Sequence, residues 1–525
     1  MMKSTVTIVA FAGFCFAATT IAHPTKGEPL LDLVPSSPPS LMRGVTSAPV
    51  EEAVVEVAVA DFAALVQDTD EPTPVAPTDV NSGEEQVAAI GEPAAGELEA
   101  EVPDADAEPV TQADPRDAAL RETVQAIIDE AGGVPQSIVR PCLERAADGA
   151  CRRAALDRYF EQLRLNALQE AERPARLSMW GDSLVVGDGL PADLRARFGA
   201  QFGNGGHGYV PIGVGERRVG IADVTARLSE QWESRSIIRG GTRDPLYGLA
   251  GEMFRSEGAP TFELRASATQ QPFTRVGLLY FASTEGGTVN VRIGDESATT
   301  HMLQAARGAS GLDWFDVPAD AMRFRLSQFQ PGLRFYGVIA EADSGVVIDN
   351  LGLVSSRSSR LTNIDEEHWA SQIALRDPDA LAFFYGVNAA WEGQSSYSET
   401  QYREQYTELL SRARRVAPER DCLGISLLSR GSTADGASQV LPSIGIIHGI
   451  QGEVAAEVGC AFWSTYEAVG GDAGILEWRR RSRLGADMSH PTRAGYEHLG
   501  RMLYLAFLEG FVDYLDRRVA GHVPG

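Results

Sequence analysis

Short apolar runs alternate with helical patterns through the C-terminal two-thirds of the chain. The runs cover 176–180, 346–351, 381–385, 423–428 and 461–463. Each has the length and continuous apolar character of a strand that is buried on both faces. Separated by helical segments, such strands predict an α/β fold in which a parallel sheet is covered by helices.

The interval between the first two runs is too long for one crossover. A βα unit needs about 30 residues, so the excess predicts an inserted module. Within the interval, 273–283, 288–294 and 322–329 alternate apolar and polar positions, and Glu285-Gly286-Gly287 predicts a turn between the first two. We therefore expect a β-sandwich-like module over 260–343 and a main domain formed by 173–259 and 344–525.

A helical pattern also precedes the first apolar run, over 117–172. Gly132-Gly133-Val134-Pro135 interrupts it. The second part places its apolar residues at helical i, i+3, i+4 spacing. These residues are Leu156, Tyr159, Phe160, Leu163 and Ala167. We expect a helical neck that leads into the main domain.

Residues 23–116 have the composition of a disordered linker. The part from Pro24 to Arg116 holds 13 of the 28 prolines and one aromatic residue, Phe62. Its 20 acidic and 3 basic residues supply 17 of the 26 net negative charges. Such a segment cannot bury enough surface to offset its ordering entropy. The acidic balance also argues against a nucleic-acid partner, which would need a basic surface.

The first 22 residues have the pattern of a secretory signal peptide. Lys3 precedes an apolar run over 6–18, and small residues follow at 20–22. The run is shorter than the roughly 20 residues of a membrane span, which disfavours the alternative of an N-terminal anchor. No later segment is long enough to span a bilayer, so we expect an exported protein, periplasmic or extracellular, without a stable membrane span.

Four cysteines remain after signal cleavage, in a compartment that permits disulfides. Three pairings are formally possible. Cys142 with Cys151 is the local choice, and Cys422 can reach Cys460 if the strands that they open are neighbours. No cysteine or histidine cluster has metal-ligand spacing, and we expect neither a metal nor a cofactor.

Serine-nucleophile chemistry is indicated by two short segments. Gly181-Asp182-Ser183-Leu184 follows the first predicted strand, at the carboxyl end where open α/β sheets bind ligands. Near the C-terminus, Asp487-Met488-Ser489-His490 offers a general base and an orienting carboxylate on one loop. This spacing lets the carboxylate reach Nδ1 while Nε2 faces the serine hydroxyl.

Two other segments compete for or complete this site. Asp365-Glu366-Glu367-His368 has the same Asp-x-x-His spacing, but it lies in a polar, helical stretch where such a pair is usually a solvated face. Tyr385-Gly386-Val387-Asn388 follows the third strand. The amide of Asn388 is therefore a candidate oxyanion donor, although an Asn in a βα turn is common.

Together, the Gly-Asp-Ser-Leu, Gly-x-Asn and Asp-x-x-His segments resemble the SGNH/GDSL hydrolase family, in their order as well as their residues. The resemblance implies a three-layer α/β/α, flavodoxin-like domain. It also implies Ser183 as nucleophile, His490 as base, Asp487 as its orienter, and Asn388 with the Ser183 N–H in the oxyanion hole.

Two positions depart from the family pattern. The segment closest to the second family block is 350–356, which leaves its oxyanion donor open between Gly352 and Ser355. Ala389 replaces the acidic residue that commonly follows the third-block Asn.

The position of the β-rich insertion is similar to that in peptidoglycan O-acetylesterases and related envelope proteins. This resemblance implies an exported serine esterase that removes acyl groups, chiefly acetyl, from a carbohydrate polymer such as peptidoglycan through an acyl-serine intermediate. A glycan O-acetyltransferase with the same triad and an inactive glycan-binding protein are the alternatives. An acylated glycan is the expected partner, and the sequence leaves the oligomeric state open.

Overall fold

The computed structural model describes residues 6–12, 15–21 and 114–523, with several internal gaps. The gaps are 214–220, 223, 240–243, 267–272, 283–286, 319–320, 322, 391–397 and 435–436. Residues 23–113 of the predicted linker lie outside the described residues. Val6–Ala12 and Cys15–Ile21, within the predicted signal peptide, pair as two antiparallel strands. None of the described helices has the length and apolar content needed to cross a membrane.

Five parallel strands form the central sheet of the main domain. In chain order they are β1 (Ala175–Gly181), β2 (Val346–Gly352), β3 (Ala380–Phe384), β4 (Asp421–Ile425) and β5 (Ala461–Trp463). Their order across the sheet is β2-β1-β3-β4-β5. This is the doubly wound flavodoxin-like order, with its topological switch point between β1 and β3. All five predicted runs are strands of this sheet, and the predicted fold class is confirmed.

Helices cover both faces of the central sheet. On one face, Asp157–Ala167, Gly189–Phe202 and the C-terminal helix Arg493–Val519 pack together. On the other lie the helices Glu366–Arg376, Glu399–Val416 and Ser443–Glu457. Short helices span Ser183–Val186, Thr465–Ala468 and Gly471–Arg480. Aromatic side chains fill the first interface; the ring centroids of Phe198 and Phe507, for example, are 5.6 Å apart.

The N-terminal neck is helical only at its two ends. Pro115–Glu130 and Asp157–Ala167 are helices, but the strands Cys142–Arg145 and Cys151–Ala154 form a hairpin between them. A disulfide joins Cys142 to Cys151 across the hairpin. The apolar side chains of the neck belong to the same core as the central sheet, so the neck packs directly on the main domain.

A second disulfide joins Cys422 in β4 to Cys460, the residue before β5. The two strands are neighbours in the sheet, as this pairing requires. Both of the pairings that the sequence favoured are therefore present in the structure.

The insertion is a sandwich of two antiparallel sheets around one apolar core. The outer sheet has the strand order Thr299–Met302, Thr288–Ile293, Arg323–Ser327, Phe262–Arg265 and Thr225–Leu228. The inner sheet has the order Ser310–Asp316, Arg275–Phe281, Arg334–Glu341, Glu252–Ser256 and Trp232–Ser236, and Gly208–Val210 also pairs with Arg334–Glu341.

Two sequence expectations about this module differ from the structure. Four of its strands precede residue 260, so the module begins earlier than expected. A strand as short as Thr225–Leu228 contains too few positions to give a clear period-2 signal. Arg275–Phe281 and Thr288–Ile293 also do not form a hairpin, since they belong to different sheets. Of the predicted turn between them, only Gly287 is among the described residues.

A buried network of charges joins the sandwich to the main domain. Glu341, at the end of an inner-sheet strand, accepts hydrogen bonds from Arg376 (2.9 Å) and Arg176 (2.7 Å). Arg376 also binds Asp349 of β2 through two hydrogen bonds, of 2.8 and 3.1 Å. The side chains of Glu341, Asp349 and Arg376 are fully buried. Each charge therefore depends on its partners for compensation.

Glu341 makes the stability of this interface depend on pH. Burial by itself would raise its pKa, but the charges of Arg376 and Arg176 hold the pKa at about 2, against an ordinary value of 4.5. The ionised carboxylate therefore stabilises the fold fully above about pH 4.5. That contribution is lost as the pH falls from about 4.5 to about 2.

We predict that Glu341→Gln lowers the unfolding free energy at pH 7 by about 3–5 kcal/mol, because it removes the buried negative charge that Arg176, Arg275 and Arg376 share. The variant should also lose part of the acid-induced decrease between pH 4.5 and 2. Urea denaturation across this range measures both effects. Glu453→Gln, which alters an exposed ion pair with Arg403, is the control and should change stability little. Wild-type stability of Glu341→Gln at pH 7 would contradict the prediction.

Candidate active site

A tight turn brings the chain from β1 directly into the helix Ser183–Val186, with Ser183 as its first residue. Two glycines make this approach possible. A Cβ on Gly181 would lie 2.3 Å from Cγ2 of Val185, and one on Gly352 would lie 2.5 Å from the backbone nitrogen of Val186. The helix therefore packs against the carboxyl ends of β1 and β2, and its N-terminus lies at the topological switch point.

His490 and Asp487 meet Ser183 at this edge of the sheet. His490 Nε2 is 2.7 Å from Ser183 Oγ, and His490 Nδ1 is 2.5 Å from Asp487 Oδ2. The other carboxylate oxygen of Asp487 accepts the backbone N–H groups of Ser489 (3.0 Å) and His490 (3.1 Å). The three predicted triad residues therefore form one hydrogen-bonded chain.

The loop that carries the imidazole is fixed by several backbone contacts. The backbone N–H of Gly485 donates to the carbonyl of His490 at 2.8 Å. Ser429, which follows β4, donates its hydroxyl to the carbonyl of Met488 at 2.9 Å. Met488 adopts a left-handed backbone with φ of 57° and is fully buried. The loop thus enters the C-terminal helix with the imidazole already directed at Ser183.

The ionisation of Asp487 fits an orienting role. Burial by itself would raise its pKa, but the hydrogen bond from His490 and the backbone N–H donors hold the pKa below its ordinary value. The carboxylate is therefore ionised and acts as an acceptor at neutral pH. It favours the tautomer with a proton on Nδ1, which leaves the lone pair of Nε2 directed at the serine hydroxyl.

Asn388 lies in a 3-10 turn that follows β3, the strand next to β1 in the sheet. Its Nδ2 donates to the carbonyl of Ser356 at 3.0 Å. A side-chain amide has a second N–H, which this contact leaves available. The backbone N–H of Ser183 is a second candidate donor. Ser183 is the first residue of its helix, and the first N–H of a helix has no intrahelical acceptor.

The two second-block candidates for an oxyanion donor, Gly352 and Ser355, have different surroundings. The N–H of Gly352 already donates to Oδ1 of Asn350 at 3.1 Å, and Gly352 is the last residue of β2. Ser355 lies further along, with φ of 59° in the left-handed region that favours glycine. It directly precedes Ser356, whose carbonyl holds Asn388.

The competing Asp-x-x-His pair has a structural role, although not on a solvated face. Asp365 caps the helix Glu366–Arg376 by accepting the N–H of His368. The His368 side chain is buried against the rings of Phe281 and Tyr336 from the sandwich. Burial lowers the pKa of His368 to about 4. The sequence could not show this, because the covering rings come from the insertion.

Two charged residues of the site were not singled out from the sequence. Asp182 is fully buried, and one oxygen accepts the N–H of Leu184 at 3.0 Å. Arg430 follows β4 and lies within electrostatic reach of both Asp182 and Asp487. Asp182 could have been found as part of the serine motif, and Arg430 as the first cation after the fourth strand.

Asp182 has an unusual ionisation behaviour. Burial raises its pKa from 3.8 to about 6, although the N–H of Leu184 and the charges of His490 and Arg430 act in the opposite direction. The folded state thus binds a proton that the unfolded state releases between pH 3.8 and 6. The contribution of Asp182 to stability consequently falls as the pH rises through this window.

We predict that Asp182→Asn removes this pH dependence, because the amide does not titrate. Its oxygen can still accept the N–H of Leu184, so the helix cap is kept. At each pH, the unfolding free energy of the wild type is subtracted from that of the variant. This difference should be about 2–3 kcal/mol larger at pH 8 than at pH 4. Urea denaturation at the two pH values measures it. Asp182→Ala is the control, since loss of the cap should destabilise the protein at both. An equal difference at pH 4 and pH 8 for Asp182→Asn would contradict the prediction.

Comparison with solved structures agrees with this architecture. The fold is similar to that of a peptidoglycan O-acetylesterase, with 22% sequence identity and a TM-score of 0.57 over 68% of this chain and 96% of that protein. A GDSL-like lipase from Parabacteroides merdae matches 32% of this chain and 74% of its own, with 16% identity and a TM-score of 0.25. An acetyl xylan esterase matches 31% of this chain and 80% of its own, with 13% identity and a TM-score of 0.24.

No protein-family model matches the chain. No curated protein matches it either. The SGNH/GDSL hydrolase-like fold expected from the sequence motifs is nevertheless confirmed by the structural likeness.

Proposed function

We propose that the protein is an exported serine esterase that removes acyl groups, chiefly acetyl, from a carbohydrate polymer such as peptidoglycan. The observation that carries the proposal is the hydrogen-bonded chain from Asp487 through His490 to Ser183 at the switch point of the sheet. The fold-level likeness to a peptidoglycan O-acetylesterase, which covers 68% of this chain, supports the choice of substrate.

The reaction follows from the geometry. Ser183 Oγ attacks the ester carbonyl while His490 Nε2 takes its proton, and a tetrahedral oxyanion forms. The intermediate collapses as the C–O bond to the sugar breaks and the imidazolium returns its proton to the sugar oxygen. Water, deprotonated by the same imidazole, then hydrolyses the acyl-serine and regenerates Ser183.

The oxyanion is stabilised by fixed donors in this proposal. They are the backbone N–H groups of Ser183 and Ser355 and the second amide proton of Asn388. Because the contact between Asn388 and the Ser356 carbonyl fixes the amide before substrate binds, the donor needs little reorganisation during the reaction. Such preorganised donors each contribute roughly 10²–10³ in kcat.

Export is supported by two features. The N-terminal 22 residues have the pattern of a signal peptide, and two disulfides form within the described residues, as is common in oxidising compartments. The assembled triad also weighs against an inactive glycan-binding protein, which would have no need of this arrangement.

We predict that Ser183→Ala abolishes hydrolysis of 4-nitrophenyl acetate and labelling by a fluorophosphonate, because both require the Oγ nucleophile. Ser464→Ala is the matched control. Ser464 also contacts a histidine, with its Oγ 2.7 Å from Nε2 of His448, yet it should retain both signals. Ester turnover by Ser183→Ala at the wild-type rate, or loss of labelling only in Ser464→Ala, would refute the assignment of the nucleophile.

We predict that Asn388→Ala lowers kcat for the same ester by about 10²–10³ with little change in KM, because the oxyanion donor acts in the transition state. Steady-state kinetics measure the two constants, and thermal unfolding checks that the variant is folded. Asn204→Ala, in a loop beside the opposite end of β2, is the control. A folded Asn388→Ala with wild-type kcat would remove Asn388 from the oxyanion hole.

A further inference from the structure

The face of the outer sandwich sheet that points away from its core carries two adjacent rows of arginines, of which Arg227 and Arg292 are exposed and the others half-buried. In the first row, Arg292 pairs with Arg325, Arg325 with Glu263, and Glu263 with Arg227 across four neighbouring strands. In the second row, two residues further along, Arg323 pairs with Arg265. The arginine face is defined here as these five residues, Arg227, Arg265, Arg292, Arg323 and Arg325.

The opposite face of the same strands is apolar. One row there consists of Val291, Leu326, Phe262 and Leu228, and the next of Ile293, Phe324, Leu264 and Ala226. These side chains pack into the sandwich core. Strand alternation therefore directs all five arginines away from the core, and the orientation of the arginine face follows from the register.

The arginine face has a cost for folding. Arg292 lies directly opposite Arg325, and Arg323 directly opposite Arg265, and like charges in such cross-strand pairs are destabilising. The rows contain a single carboxylate, Glu263, which accepts a hydrogen bond from Arg265 at 2.7 Å. Five cations against one anion on this face contrast with the net charge of −26 for the whole chain.

The charges of this face act on one another. Partial burial would raise the pKa of Glu263, but the hydrogen bond from Arg265 and the charges of Arg323 and Arg227 hold it below the ordinary value. Within the described part of the chain, Arg227, Arg292, Arg323 and Arg325 form no ion pair. Asp295 and Glu296, which follow the strand Thr288–Ile293, are exposed.

We propose that the arginine face binds a polysaccharide that carries carboxylates, and that it holds this polymer while the Ser183 site deacylates it; the second part rests on the proposed function. The complementary charge of such a polymer offsets the repulsion between the paired arginines. Neighbouring strands are about 4.8 Å apart and the rows about 7 Å apart, so the face extends roughly 14 Å across the strands. An extended chain with regularly spaced carboxylates fits these dimensions.

The composition of the face identifies the kind of recognition. None of the described residues in the two rows is aromatic, so the face has no ring on which a neutral sugar could stack. Binding is therefore electrostatic, and it weakens as salt screens the charges. A neutral polysaccharide is not a ligand of this face.

The test is a binding titration of the full-length protein against fluorescein-labelled oligogalacturonide, read by fluorescence anisotropy, with labelled dextran as the neutral probe. Wild-type protein should bind the oligogalacturonide at roughly 20 mM sodium chloride, lose binding at roughly 300 mM, and not bind dextran. Arg292→Gln/Arg325→Gln should weaken binding by about tenfold. Glu263→Gln, which removes the only carboxylate of the rows, should strengthen it about twofold.

Matched controls separate this proposal from the proposed function. Arg403→Gln/Arg415→Gln removes the same charge from exposed positions of the helix Glu399–Val416 and should bind like wild type. Hydrolysis of 4-nitrophenyl acetate should be unchanged in Arg292→Gln/Arg325→Gln. If the wild type binds oligogalacturonide but lacks esterase activity, the proposed function fails while binding by the arginine face stands.

Three outcomes overturn the proposal. The first is equal affinity of wild type and Arg292→Gln/Arg325→Gln. The second is an equal loss of affinity in the Arg403→Gln/Arg415→Gln control, which would show a response to net charge alone. The third is a wild type that does not bind oligogalacturonide at low salt. In that case, protease sensitivity between residues 24 and 113 is compared in the wild type and Arg292→Gln/Arg325→Gln, and faster cleavage of the variant has a specific meaning. That result would assign the arginine face to the chain's own acidic segment.

Discussion

The hydrogen bond between His490 Nε2 and Ser183 Oγ joins residues that are 307 positions apart in the chain. It depends on the parallel sheet, because only parallel strands bring all of their carboxyl ends to the same edge. The serine helix after β1, the Ser355 loop after β2, the Asn388 turn after β3 and the Ser429 loop after β4 all meet there. The sheet thus assembles the site, and the loop after each strand adds one element.

Close backbone packing sets the accuracy of this assembly. Gly181 and Gly352 leave no space for a Cβ beneath the serine helix, so the helix lies directly on the strand ends. Asn388 and Ser429 then connect neighbouring loops by hydrogen bonds to the carbonyls of Ser356 and Met488. Ser183, His490 and Asn388 are therefore held by close packing and by hydrogen bonds to the backbone, which favours a preorganised site.

The sandwich is attached to this scaffold through charges as well as apolar contacts. Glu341 lies at the end of a sandwich strand, and its partners Arg176 and Arg376 belong to the main domain. Breaking such a network would leave a buried charge uncompensated, so the two parts are energetically coupled. The inner sheet thereby packs on the hydrolase-like domain, and the outer sheet, with its arginine face, is directed away from it.

Local patterns in the sequence indicated the five central strands, the serine and Asp-x-x-His segments, the candidate cysteine pairs and the presence of a β-rich insertion. These features depend on residues close together in the chain, or on a short list of partners, as for the cysteines. Only the tertiary structure showed that the Gly352 N–H is bonded to Asn350 and that Ser355 has a left-handed backbone. It alone showed that His368 is covered by the sandwich and that Asp182 and Arg430 share one environment. The arginine rows follow the same rule. Alternation places each side chain on a face, but which strands are neighbours is decided by contacts between distant segments, such as Phe262 with Leu326.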